Sequence, residues 1–131
     1  MIFQRDDTFT RSYVVTEALH TRFIELFGDK NPLHVNDSFA TSKGFRGKVM
    51  NGNILGGFLS HFIGECLPTK EVIIHTQEIQ YKNVVYVNDV LNFEANVCGV
   101  YESVNAVEFK FVFLNGEGKV VSKGMFQIGL L

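Results

Sequence analysis

Asn53 to Leu67 reads NILGGFLSHFIGECL, and its period decides the fold. The large side chains form two adjacent rows, Ile54/Phe58/Phe62 and Leu55/Leu59/Ile63, each stepping by four residues. That spacing puts both rows on one face of a helix. Pro68 closes the segment, because its ring cannot continue the hydrogen-bond ladder. Gly56, Gly57 and Gly64 each cost about 1 kcal/mol against alanine in a helix interior. A helix tolerates that cost when something approaches its backbone closely. Tight packing against a sheet is the expected cause, ahead of a ligand contact.

Downstream of Pro68 the period changes to two. Leu91, Phe93, Ala95 and Val97 alternate with Asn92, Glu94 and Asn96, and Val107, Phe109, Phe111 and Phe113 alternate with Glu108 and Lys110. Asn115-Gly116-Glu117-Gly118 reads as a hairpin turn into a last strand from Lys119 to Ile128. Val72 to Tyr81 reads as a further strand with blurred alternation. Upstream, Thr8 to Val15 reads as a short strand and Thr16 as the N-cap of a helix. Leu19, Phe23, Ile24 and Phe27 then run at helical spacing to a stop at Gly28. A second short helix is expected from Asn36 to Gly44. Helices gathered in the first half and antiparallel strands in the second make an α+β layout, a long apolar helix covered by a curved sheet.

Between those first two helices stands Gly28-Asp29-Lys30-Asn31-Pro32-Leu33-His34. Proline fixes its own φ and pushes the preceding residue toward extended geometry, so the bend is stiff. It carries a carboxylate on one arm and an imidazole on the other, with His34 expected in the turn between the helices. Such a pair suits proton shuttling at one reacting centre. The residues alone equally allow His34 to cap a turn, Asp29 to cap a helix and Asn51-Gly52 to be an ordinary turn.

The 131 residues are most simply one domain, large enough to bury a core. A net charge of −2 argues against non-specific nucleic-acid binding. No run reaches the roughly 18 apolar residues of a membrane span, and the charged start MIFQRDDTFTR lacks a signal peptide's apolar stretch. Cys66 and Cys98 are too few for a disulfide framework or a zinc site, and read as buried small hydrophobes in a reduced cytoplasm. His20, His61 and His75 read as surface or packing residues, and no histidine–carboxylate cluster suggests a metal. Lys30, Lys43, Arg46 and Lys48 stand against Asp37 alone between residues 30 and 48. A solvated loop, or a surface for a phosphate-bearing ligand, would look the same.

Three blocks make the chain resemble the MaoC-like hot-dog proteins, whose best-known members are (R)-specific enoyl-CoA hydratases. FGDKNPLHVN (Phe27 to Asn36) is similar to the family's Gly-Asp-x-Asn-Pro-x-His motif. GFRGKVMNGNILGGFLS (Gly44 to Ser60) looks like its loop and central-helix start, and VVYVNDVL (Val84 to Leu91) like its Pro-Val-x-x-Gly-Asp strand opening. Two departures stand out. Asn51-Gly52 replaces the usual His-Gly, and Val84 and Asn88 stand where proline and glycine are common; the second change is expected on a strand.

The resemblance implies one hot-dog domain over residues 1–131 and hydration of trans-2-enoyl thioesters, or the reverse dehydration. It implies no cofactor and no metal. Asp29 and His34 would be the catalytic pair, and the Gly52 N–H would stabilise the enolate oxygen at a helix start. Asn31, Asn51, Ser60 and Arg46 are expected on the substrate side, with Ser60 orienting the acid. The substrate would ride on coenzyme A or acyl carrier protein, with neither nucleic acid nor membrane as a partner. The expected location is cytoplasmic. A homodimer joined at sheet edges is expected. Gly56 and Gly57 would widen an acyl pocket that Phe58 and Phe62 narrow, favouring short chains. Two other readings remain at this point: a hot-dog thioesterase, and an inactive acyl-thioester-binding subunit, which the Asn51 substitution alone favours.

Overall fold

A computed structural model describes residues 1–131. The elements run β1 (Thr8–Val14), α1 (Glu17–Phe27), α2 (Pro32–Val35), α3 (Asp37–Ser42), α4 (Asn53–His61), β2 (Val72–Tyr81), β3 (Val90–Tyr101), β4 (Ala106–Leu114) and β5 (Val120–Leu130). A π turn, Phe62–Cys66, prolongs α4 without a break. The strands form one antiparallel sheet in the order β1-β3-β4-β5-β2. This is the hot-dog arrangement, a sheet curved around one apolar helix.

Period explains the core. Leu91, Phe93, Ala95 and Val97 on β3, with Val107, Phe109, Phe111 and Phe113 on β4, are all buried. They meet both apolar rows of α4 and its π turn in one cluster of 22 buried residues. Phe109 stacks on Phe126 at 4.7 Å, and Phe62 lies 4.8 Å from Phe93. Burying a phenylalanine stabilises by about 1.5–3 kcal/mol, so this cluster is the main cohesive force.

β2 behaves differently. It pairs only with β5 and leaves Ile73, Ile74 and Tyr81 exposed, and its alternation is blurred because only Val72 and Ile79 pack against the core. Helix ends follow local chemistry: Thr16 accepts from the Leu19 N–H, Asn36 accepts from the Phe39 N–H, and Gly28 ends α1 at φ 71°.

Three expectations are corrected. His34 lies inside α2, a helical turn of its own, rather than in a loop. Asn88 is not on a strand; at φ 75° it occupies the left-handed turn before β3, a conformation glycine adopts freely and asparagine tolerates. Neither cysteine is fully buried: Cys98 donates to Glu108 O at 3.4 Å, and Cys66 lies 3.8 Å from His61 Nδ1.

Candidate active site

The corner after α1 is held by its own side chains. Asp29 Oδ1 accepts from the Asn31 N–H at 3.2 Å, and Asn31 Oδ1 accepts from the Leu33 N–H at 3.0 Å. Asn31 therefore caps α2, with Pro32 at the first helical position where its missing N–H is harmless. That is a structural task, where a substrate contact was expected.

His34 projects from α2 onto the segment that leads into α4. Its Nδ1–H donates to Val49 O at 2.7 Å, and the Val49 N–H donates back to Leu33 O at 3.0 Å. A carbonyl can only accept, so Nδ1 carries a proton, and in the neutral imidazole Nε2 is then the acceptor. Two residues further on, Asn51 Nδ2 donates to Asp29 Oδ2 at 2.7 Å, while its Oδ1 accepts from the Asn53 N–H at 3.0 Å. Asn51 is 4 % exposed. Its amide orientation is fixed from both sides, since only a donor fits the carboxylate and only an acceptor fits the N–H. Acid and imidazole thus dock on one short segment, and asparagine supplies the hydrogen bond to the acid.

Gly52 follows. Its N–H donates to no protein group and points from the start of α4, where the helix field favours negative charge. A Cβ on Gly52 would lie 2.8 Å from the Tyr81 ring, so any other residue there would push that ring aside. A cavity of about 420 Å³ opens beside Gly52 between Val49–Leu55 and Tyr81–Val85. A second, of about 560 Å³, is lined by Phe23, Phe27, Asp29, Asn51, Asn53 and Gly57. Phe23 and Phe27, 4.9 Å apart, form its apolar wall beside the acid.

Other predicted residues lie elsewhere. Ser60 is exposed and makes no hydrogen bond to Asp29; Asn51 does the orienting. Arg46 stacks over Tyr86 at 4.2 Å and lies 3.8 Å from Asp89, away from both cavities. Lys48 lies 3.7 Å from Glu17, so half of the basic patch is already paired with acids outside the stretch in which it was counted. Phe58 and Phe62 are core residues and narrow no pocket. Nothing lies within 4 Å of a Cβ added at Gly57 or Gly64, so tight packing is not what keeps them small. His20, at 1 % exposure, is deeply buried, and with Val49 and Tyr81 it joins the site without a signal in the sequence. Val49 acts through its backbone, and Tyr81 through a strand whose pattern was blurred. No three His, Cys, Asp or Glu side chains converge as metal ligands. No helix is long and apolar enough to cross a membrane.

The chain is similar to known proteins along most of its length. A family model described as "MaoC like domain" matches residues 3–111. The chain is 30 % identical over 102 residues to an (R)-specific enoyl-CoA hydratase of Rhodospirillum rubrum, covering 78 % of this chain and 70 % of the relative. It is 32 % identical over 80 residues to the (R)-specific enoyl-CoA hydratase of Aeromonas caviae, covering 61 % of this chain and 60 % of the relative. Among solved structures, an (R)-hydratase from A. caviae involved in PHA biosynthesis superposes with a TM-score of 0.91 at 24 % identity over 98 % of both chains. With the family model spanning most of its length, the chain belongs to the MaoC-like domain family, and its fold is the hot-dog fold of that family's hydratases.

Proposed function

We propose that this chain is a hydro-lyase that adds water across trans-2-enoyl thioesters to give (R)-3-hydroxyacyl thioesters, and catalyses the reverse dehydration. The observation that carries this reading is the joint docking of Asp29 and His34 on Val49–Asn51, directly before the free Gly52 N–H. The curated relatives, named as (R)-specific enoyl-CoA hydratases, support it.

In the proposed reaction Asp29 and His34 hold one water. In the neutral imidazole with its proton on Nδ1, His34 Nε2 takes a proton from that water as its oxygen attacks the β-carbon. The electron pair of the double bond moves toward the thioester oxygen, where the Gly52 N–H meets the developing negative charge. Protonation of the α-carbon by the Asp29/His34 pair completes the addition. The apolar cavity between Phe23, Phe27 and Gly57 receives the acyl chain, and the coenzyme A or carrier-protein arm leaves past Gly52 and Tyr81. One domain over residues 1–131 carries the whole site. A homodimer is part of this proposal, because β2 offers a ten-residue unpaired edge with Ile73 and Ile74 exposed.

The test is turnover of crotonyl-CoA, followed as loss of the conjugated enoyl thioester, with Asp29→Asn and His34→Ala beside the parent. Formation of the (R)-3-hydroxy product is expected, with kcat/KM lower by about 10²–10⁴-fold in each variant. Release of free thiol instead would make the protein a thioesterase. No turnover of coenzyme A or carrier-protein thioesters would leave the binding-subunit reading in its place.

A further inference from the structure

We infer that His20, on α1, is a positioning residue that locks His34 in its base-competent tautomer. This rests on the reading of His34 as the base. His20 Nε2–H donates to His34 O at 2.8 Å, and it is the only hydrogen bond that ring makes, since His20 Nδ1 is buried with no partner. An imidazole at 1 % exposure with one bare nitrogen is a poor core residue, because burying an unpaired polar atom carries a desolvation cost that leucine or phenylalanine would avoid. What histidine adds at this site is the one N–H, and it is aimed at the backbone of the catalytic residue.

The geometry shows why that bond matters. α2 is a single turn of four residues, and the carbonyls at a helix end have no intrahelical partner. His34 O is one of these, and His20 satisfies it from α1. Three bonds then close a brace: His20 to His34 O, His34 Nδ1–H to Val49 O, and the Val49 N–H to Leu33 O. The first fixes the backbone of His34, the second its ring, and the third the segment on which the ring rests. Without the first, α2 can rotate, the His34–Val49 bond loosens, and the proton redistributes between Nδ1 and Nε2. Base function is lost in proportion. His20 touches no reacting atom; it acts through His34.

The test compares His20→Phe, which fills the space and donates nothing, with His20→Gln, whose amide N–H can still reach the carbonyl. Two readouts are taken on the full chain: steady-state hydration of crotonyl-CoA across pH, and the ring-nitrogen NMR signals of ¹⁵N-labelled histidine, tractable with four histidines. In the parent, His34 should show a protonated Nδ1 and bare Nε2. His20→Phe should mix the tautomers, lower kcat by about 10- to 100-fold with KM nearly unchanged, and displace the limb of the pH profile that reports the base. His20→Gln should recover most of all three. A fixed His34 tautomer in a folded His20→Phe protein overturns the proposal. So does equal impairment of both variants that tracks their melting temperatures, which is what mere packing would give. A parent without turnover whose His34 tautomer still depends on residue 20 would defeat the hydratase reading and leave the brace standing.

Discussion

The phenylalanine core and the Asn51 corner lie on the same helix and are built on opposite principles. Toward the sheet, α4 and its π turn pack Phe58 and Phe62 among Tyr13, Phe93, Phe113 and Phe126, ring against ring at 4.6 to 6.4 Å. Each contact is weak and non-directional, and neighbours share the load. Just before its first turn, Asn51 meets the Asp29 carboxylate from beyond α1 and the Asn53 N–H, through two directional bonds at 2.7 and 3.0 Å. No neighbour can substitute for either. Stability is therefore spread over the core while the proposed chemistry rests on the corner, so substitutions in the two regions should separate folding from turnover.

The largest effect on folding is expected from Phe62→Ala. Phe62 is fully buried between Phe9, Phe93 and Phe126, and its removal should cost about 3–5 kcal/mol in denaturant titration. Activity per folded molecule should change little. A variant that stays stable but turns over slowly would break the comparison, because the core would then be shaping the site directly.

Asn51 gives the converse. Asn51→Ala removes the bond to the Asn53 N–H at the start of α4 and the bond to Asp29 together; the first is worth about 1 kcal/mol, while kcat/KM should fall about 10²-fold. Asn51→Asp sharpens this. Its carboxylate can still accept from the Asn53 N–H, but it turns a like charge toward Asp29, a repulsion that lowers stability at neutral pH and is relieved when one of the pair is protonated. Activity should then drop at neutral pH, and the melting temperature lost there should recover as pH falls into the carboxylate range. Equal losses in both properties would mean that capping, rather than orientation of the acid, is the residue's role.

How much of this was legible follows from the same division. The α4 rows and the β3 and β4 alternation are readable because burial imposes a period on the side chains. β2 was readable by its bounds, Val72–Tyr81, but not by its period, because an outer strand that sends only Val72 and Ile79 to the core imposes a weak one. At the corner, Asp29 and His34 are readable as residue types from a motif and Asn51 as a departure from one, while the bond between Asp29 and Asn51 appears only in the structure. Ser60 and Arg46 were misplaced because motif position carries no information on where a side chain points. The Arg46 and Lys48 partners, Asp89 and Glu17, are far away in sequence. Val49 and His20 escaped for a more basic reason. One acts through a carbonyl every residue possesses, and the other through a ring indistinguishable in sequence from a surface histidine.

The smallest effect sits where the two regions meet. Tyr13 stacks on Phe58 at 4.6 Å while its hydroxyl reaches His61 Nδ1 at 3.0 Å, so the ring belongs to the core and the oxygen to the surface. Burial pushes its phenol up to about 12, with Cys66 adding to the shift and Arg11 opposing it. A phenol whose folded pKa exceeds the unfolded value near 10 contributes stability that is complete below pH 10. That contribution is lost as pH rises toward 12. The step is expected to be small, because the half-buried oxygen is partly screened by water. Tyr13→Phe should lack it: between pH 10 and 12 the parent should lose stability faster than the variant, and the highest-pH part of the phenolate absorbance should vanish. Coincident alkaline stability curves would mean that the hydroxyl is free of the core, and that the aromatic cluster ends at the Phe58 ring rather than at the surface.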